Sequence, residues 1–143
     1  MTSNRFAVAV HIMTLLDVSE GERMTSELIA GSVNTNPVVI RRIIGMLSKA
    51  GLVTTNAGVA GAVITRATDQ ITLLDIYHAV TSPMQDELFA IHEKPNPNCG
   101  VGRNIQTSLE RAFNEAQQAM ENKLAQITLA EIAGDVAEKI GNE

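Results

Sequence analysis

The sequence predicts a mainly α fold: two helices joined by a tight turn, a β-hairpin directly after them, and one long helix further on. Three observations predict it. Asn34 to Pro37 breaks two apolar-periodic runs with residues that end one helix and start another. Leu52–Thr55 and Ala62–Thr65 are short β-rich runs around a segment holding Gly58 and Gly61. Residues 103–127 place an apolar residue every three or four positions without interruption.

The elements follow in order. Arg5 to Val18 carries Phe6, Ala9, Val10, Met13 and Leu16 at helical spacing, with Ser3 as the expected N-cap and Ser19-Glu20-Gly21 as its end. Thr25 is placed to cap a short helix from Ser26 to about Val33, with Glu27 in its favourable first turn. Asn34-Thr35 makes the turn. Asn36 then reads as an N-cap and Pro37 as the first helical residue, where its missing N–H costs nothing. This helix runs to about Ala50, with Gly51 as its left-handed stop. Ile40, Ile43, Leu47 and Ala50 share one face; Val38, Arg41, Arg42, Gly45 and Lys49 share the other. Two helices joined this closely are a helix-turn-helix, and a hairpin directly after one is a wing.

Downstream, Thr72 caps LLDIYHAV, and Asp75 three residues later completes a weak capping box. Leu73, Ile76, Tyr77 and Val80 form its apolar side. Ser82 to Gly102 holds three prolines and two glycines and reads mostly as loop, with a short element around Glu87–His92. In the long helix from Arg103 to Ile127, the stripe is Ile105, Leu109, Phe113, Ala116, Met120, Leu124 and Ile127. A helix of nearly 40 Å in so small a chain is expected to pair with a second copy of itself. Thr128 and Glu131 form a capping box for a last helix ending near Ile140, before Gly141.

Composition bounds the rest. The chain has 143 residues, 45% apolar and 19% charged, which fits one globular unit. Aromatics are only 3%, so Ile, Leu, Val, Ala and Met must build the core. No apolar run approaches the roughly 18 residues of a membrane span. Cys99 stands alone, which excludes an intramolecular disulfide framework; with no export signal, a cytoplasmic location is expected.

The net charge of -5 divides unevenly. Residues 1–66 hold six Lys/Arg and four acids; residues 67–143 hold five and twelve. The helix-turn-helix half is therefore weakly basic, as contact with a polyanion requires. The candidate DNA-binding residues are Thr35, Asn36 and Val38 at the start of the second helix, Arg41, Arg42 and Lys49 along its outward face, and Arg66 at the end of the wing. Arginine matches guanine and asparagine matches adenine in the major groove. Lysine and arginine also hold phosphates, which adds affinity without sequence information. The partner expected is double-stranded DNA.

Cys99 precedes Gly100-Val101-Gly102 and the start of the long helix, whose positive end lowers a thiol pKa. Arg103 is close enough in sequence to add to this. His92, Glu93 and Cys99 share one segment, but no spacing matches a structural zinc pattern, so no metal and no cofactor are expected. His11 and His78 fall inside amphipathic helices and are expected to be packing residues. An enzyme is not expected. GVAG and GVG lack the strand–helix context of a phosphate loop, and no Ser/His/Asp arrangement or carboxylate pair is suggested.

The chain resembles the Rrf2 family of winged helix-turn-helix transcriptional regulators over nearly its full length. The segments that carry this are RFAVAVHIMTLL, NPVVIRRIIGMLSKAGLV, GVAGAVI, ITLLDIYHAV, HEKPNPNCGVGRNIQ and TLAEI. The resemblance implies a homodimer with two DNA-binding heads and a crossed pair of long helices. Many members sense iron–sulfur status, nitric oxide, cysteine supply or oxidants. The iron–sulfur branch uses three closely spaced cysteines where this chain has only Cys99, so the branch without cluster ligands is the nearer one. A second, cross-linking cysteine of some members falls near Val33 here. The wing departs too, with Ala60, Ala62 and Val63 in place of a more glycine-rich pattern that is followed by an aromatic.

The expected organisation is a winged helix-turn-helix domain at 1–81, a sensor loop at 82–102, and a dimerisation helix with a terminal helix at 103–143. The expected function is a homodimeric repressor of a pseudo-palindromic operator, responsive to oxidants or electrophiles through Cys99. Two alternatives stand beside it. One is a protein-interaction module that dimerises without binding DNA. The other is a DNA-binding repressor controlled by a small ligand held between the wing domain and the long helix.

Overall fold

The computed structural model describes residues 4–19, 22–56, 59–82, 89 and 94–143, with the backbone alone at 59 and 60. The chain runs through α1 (Arg5–Val18), α2 (Ser26–Val33), α3 (Pro37–Lys49), β1 (Val53–Asn56), β2 (Val59–Ile64), a 3-10 turn (Thr68–Gln70), α4 (Leu73–Val80), α5 (Gly100–Leu124) and α6 (Leu129–Gly141). The fold is mainly helical with a two-stranded antiparallel hairpin and one long helix near the C-terminus.

Aliphatic burial builds the core. Ile12, Met13, Ile29, Ile40, Leu47, Leu52, Ile71, Ile76 and Leu129 are fully buried in one cluster spanning α1, α2, α3, α4 and α6. Each such side chain contributes about 1.5–3 kcal/mol relative to exposure. α1 is packed from several sides at once, so its covered face is wider than the spacing suggests. Val8, Ala9 and Ile12 are buried, while Phe6, Val10 and Leu16 lie at the edge of the core. Phe6 meets Tyr77 of α4 edge to face, ring centroids 5.3 Å apart. The N-cap of α1 is Asn4, which makes no side-chain capping bond; Ser3 lies outside the described residues.

α6 belongs to the same core. Leu129 and Ala133 are buried in it, and the strand-like approaches to α4 and α6 pair with each other. Leu73 N–H donates to the Ile127 carbonyl and Leu129 N–H to that of Ile71, both at 2.8 Å. At α4 the box is complete: the Thr72 hydroxyl accepts from Asp75 N–H, and the Asp75 carboxylate accepts from Thr72 N–H. At α6 only half of the expected box forms. Thr128 accepts from Glu131 N–H, with no return bond from the Glu131 carboxylate.

The hairpin differs from the expectation. β2 begins at Val59, so Gly61 lies inside a strand rather than in the turn, and Gly58 is outside the described residues. Thr55 pairs with Ala62 and Asn56 with Val59, leaving an irregularity that Gly61 occupies at φ +101°. A Cβ there would lie 3.3 Å from Arg23 Cγ. The bulge brings the wing backbone close to the segment before α2, and only glycine takes that backbone angle without strain. Gly61→Ala is expected to destabilise the fold by about 1–3 kcal/mol. Urea denaturation compares it with wild type, and an unchanged midpoint would show that the bulge relaxes freely.

α5 begins at Gly100, three residues before its expected start, and ends at Leu124. Its 25 residues span about 37 Å. The start carries a close approach: a Cβ on Gly102 would collide with the Asn96 carbonyl. No residue of α5 is buried within the chain. Ile105, Leu109, Phe113, Met120 and Leu124 are half-covered, whereas Ala116 is exposed and Gln117 lies nearer the covered side. Phe113 stacks on Phe89 at 5.1 Å. The rest of the expected Glu87–His92 element lies outside the described residues. No helix among the described residues is long and apolar enough to cross a membrane.

Candidate nucleic-acid interface

The turn before α3 is built from backbone groups. Asn34 adopts the left-handed conformation at φ 66°, and its N–H and that of Thr35 both donate to the Ala30 carbonyl, at 2.8 and 3.0 Å. That closes α2 and redirects the chain within two residues. Asn36 then caps α3, its Oδ1 accepting from Val39 N–H at 3.1 Å, and Pro37 occupies the first turn. The Asn36 side chain is exposed, and its amide NH2 remains a donor beyond the cap.

Burial fixes how α3 faces. Ile40, Ile43 and Leu47 are at most 2% exposed, which locks one face to the core. Val38, Arg41, Arg42, Gly45 and Lys49 lie on the opposite, exposed face. Ala50, expected on the inner face, is an exposed C-cap, because the helix ends before its side chain reaches the core. Val38 is 59% exposed at the N-terminal end of the face, where it serves no core. Thr35 is half-buried beside it.

The cations on this surface are not equivalent. Arg41 Nη2 lies 3.0 Å from Glu27 Oε1 of α2. Arg42 is exposed with no salt bridge to a described residue. Lys49 closes the last turn of α3. Arg66 is turned back to the head, its Nη2 3.9 Å from Asp75 Oδ2 at the N-terminus of α4. A cleft of about 480 Å³ runs between α3 and the wing, lined by Ser26, Arg41, Gly45, Ser48, Lys49 and Thr55 among others. The structure thus puts Arg41 and Lys49 on a wall shared with the wing. Ser26, Glu27 and Thr55 were not singled out as site residues in the sequence. Small polar side chains flanking a basic helix were the only signal for Ser26 and Thr55.

Cys99 is exposed at the N-cap position of α5. It makes no side-chain capping bond there. Even so, the N–H of Gly102, and next that of Val101, favours the thiolate and holds the thiol pKa below its ordinary value. Arg103, expected to assist, instead donates to the Pro97 carbonyl at 3.2 Å. His11 lies 2.9 Å from the Ser32 hydroxyl, joining α1 to α2. His78 is exposed rather than packed and lies 3.1 Å from Glu121, joining α4 to α5.

Residues 2–135 match the family model for Rrf2, described as an iron-dependent transcriptional regulator. YwnA of Bacillus subtilis (strain 168), named as an HTH-type transcriptional regulator, is 49% identical over 132 residues, covering 92% of this chain and 96% of that protein. A crystal structure of a protein named as DNA binding is 44% identical with a TM-score of 0.72, covering 90% of this chain and 97% of that one. CymR of B. subtilis, named as the global cysteine regulator, has a TM-score of 0.67 at 22% identity, covering 94% and 96%; at that identity the likeness is one of fold. The donor set here does not fit the iron in the family's description. Clusters are held chiefly by several cysteine thiolates, and Cys99 is the single cysteine of the chain. Among the described residues no group of three or more His, Cys, Asp or Glu is gathered to hold a metal.

Proposed function

Because the chain belongs to the Rrf2 family of transcriptional regulators, we propose that it is a homodimeric repressor that reads a pseudo-palindromic operator with α3 and answers oxidants through Cys99. The observation that carries the reading is the two-sided character of α3. One face is locked into the core by Ile40, Ile43 and Leu47, and the other offers Asn36, Val38, Arg41, Arg42 and Lys49 outward.

A recognition helix sets its N-terminal residues against base edges in the major groove. Asn36 and Arg41 carry the donors for that task, and Val38 offers an apolar contact to a thymine methyl. Arg42 and Lys49 bind the phosphates on either side. Arg66 joins them once it leaves Asp75. The half-covered stripe of α5 pairs with its copy and carries two heads. Its length of about 37 Å is close to the ~34–36 Å that separates half-sites by one turn of DNA.

Cys99 supplies the signal. Its thiolate attacks one oxygen of a peroxide, the O–O bond breaks, hydroxide leaves, and a sulfenic acid remains. A small thiol can then add its sulfur and release water, leaving a mixed disulfide at the start of α5. Two measurements test the whole. Wild-type protein is expected to enrich a two-fold symmetric sequence from a randomised duplex library, with affinity falling steeply as salt rises. Recovery of no sequence would leave a dimerising interaction module. Hydrogen peroxide is expected to weaken binding to the enriched duplex in wild type and not in Cys99→Ser. An equal loss in both proteins removes Cys99 as the switch.

A further inference from the structure

Glu27 sits in the first turn of α2 and reaches across to α3, its Oε1 3.0 Å from Arg41 Nη2. The two side chains are 66% and 57% exposed. A pair this open adds little to stability. A carboxylate beside the basic face of α3 also repels phosphates. Neither fold stability nor plain DNA affinity accounts for it.

We infer that Glu27 is a specificity-determining residue that positions Arg41 for a base and keeps it off the phosphate backbone. The inference rests on α3 being the DNA-reading helix. Each guanidinium Nη carries two hydrogens, so Nη2 gives one to Glu27 and keeps the other. With the Nη2 hydrogen on the Nε side given to Glu27, Nη1 and Nη2 still present the two-pronged end that matches guanine O6 and N7. Binding guanine therefore leaves the Glu27 pair intact. Swinging Arg41 to a phosphate breaks the pair and strands a carboxylate beside the polyanion. The penalty falls on non-specific complexes and spares the specific one, which is selectivity by a repulsive element.

The test uses the duplex enriched by wild type and a shuffled duplex of equal length. Affinities are measured across salt for wild type, Glu27→Gln, Arg41→Ala and the double variant, with melting curves to confirm folding. Glu27→Gln is expected to bind the shuffled duplex about tenfold tighter, with a salt slope steeper by about one. It is expected to gain less on the enriched duplex. It should also tolerate replacement of a half-site G·C pair that costs wild type about tenfold. All of these changes should vanish when Arg41 is alanine. An unchanged specificity ratio in Glu27→Gln, or an equal gain with and without Arg41, overturns the inference and leaves the DNA-reading role standing. Failure to enrich any sequence, or an Arg41→Ala protein that discriminates as well as wild type, removes the reading beneath it and the inference with it.

Discussion

Arg41→Ala is expected to lower affinity for the enriched duplex by roughly 10- to 100-fold, with the dimer and the melting temperature unchanged. The magnitude follows from a bidentate arginine–guanine contact, worth about 1–3 kcal/mol of discrimination. The fold should tolerate the change. Arg41 is exposed, and its ion pair with Glu27 is of the solvent-exposed kind that contributes about 0–1 kcal/mol. The loss should be sequence-selective: small on shuffled DNA, large on the enriched site. Arg42→Ala provides the contrast. As a phosphate contact it is expected to weaken all duplexes about equally and reduce the salt slope by about one. Titrations by fluorescence anisotropy at three salt concentrations separate the two patterns. Operator affinity unchanged in Arg41→Ala would remove α3 from the interface as drawn.

The two adjacent arginines differ in their partners, and their own stretch of sequence does not encode that difference. The helix that carries them was legible because its signals are local. Asn36-Pro37 starts it, Gly51 at φ 80° stops it, and the 3.6-residue period of Ile40, Ile43 and Leu47 turns the arginines outward. The capping box of α4 was legible for the same reason. What was not legible depends on residues distant in sequence. Glu27 meets Arg41 across 14 positions, and Arg66 is drawn back to Asp75, so each basic residue has a different freedom that no spacing encodes. Gly61 reads as turn glycine until Arg23 is seen packed against the strand. α1 shows a single stripe in sequence but is enclosed by α2, α3, α4, α6 and the wing. α5 starts three residues before the sequence suggests, because two glycines argue against helix there. Each glycine costs a helix about 1 kcal/mol, but the Asn96 carbonyl passes too close to Gly102 for any Cβ, and backbone bonds around Cys99 close the first turn.

Leu109→Asp is expected to turn a dimer into a monomer and to lower operator affinity by about 10²–10⁴. α5 has no buried residue within its own chain, so its stripe is packed only if something else covers it. Ile105, Leu109, Phe113, Met120 and Leu124 repeat at helical spacing on that side. Covering them with the same stripe of a second copy is the closed, self-complementary solution. A carboxylate at the centre of such a seam is buried without a partner, at a cost of several kcal/mol. The head should not register the change, because Leu109 is absent from its core cluster. Its melting transition should therefore survive. The affinity loss has a separate origin. On the proposed reading two linked heads hold two half-sites, and the second head binds at an effective concentration set by the first; a monomer forfeits that gain. Gln118→Asp is the matched control. It places the same charge nine residues on, half a turn from Leu109, on a side chain that is exposed. Sedimentation velocity is expected to show monomer for Leu109→Asp and dimer for Gln118→Asp. A Leu109→Asp protein that stays dimeric would move the seam off this stripe. A monomer that still binds the enriched duplex at full strength would break the link between the long helix and two-headed reading.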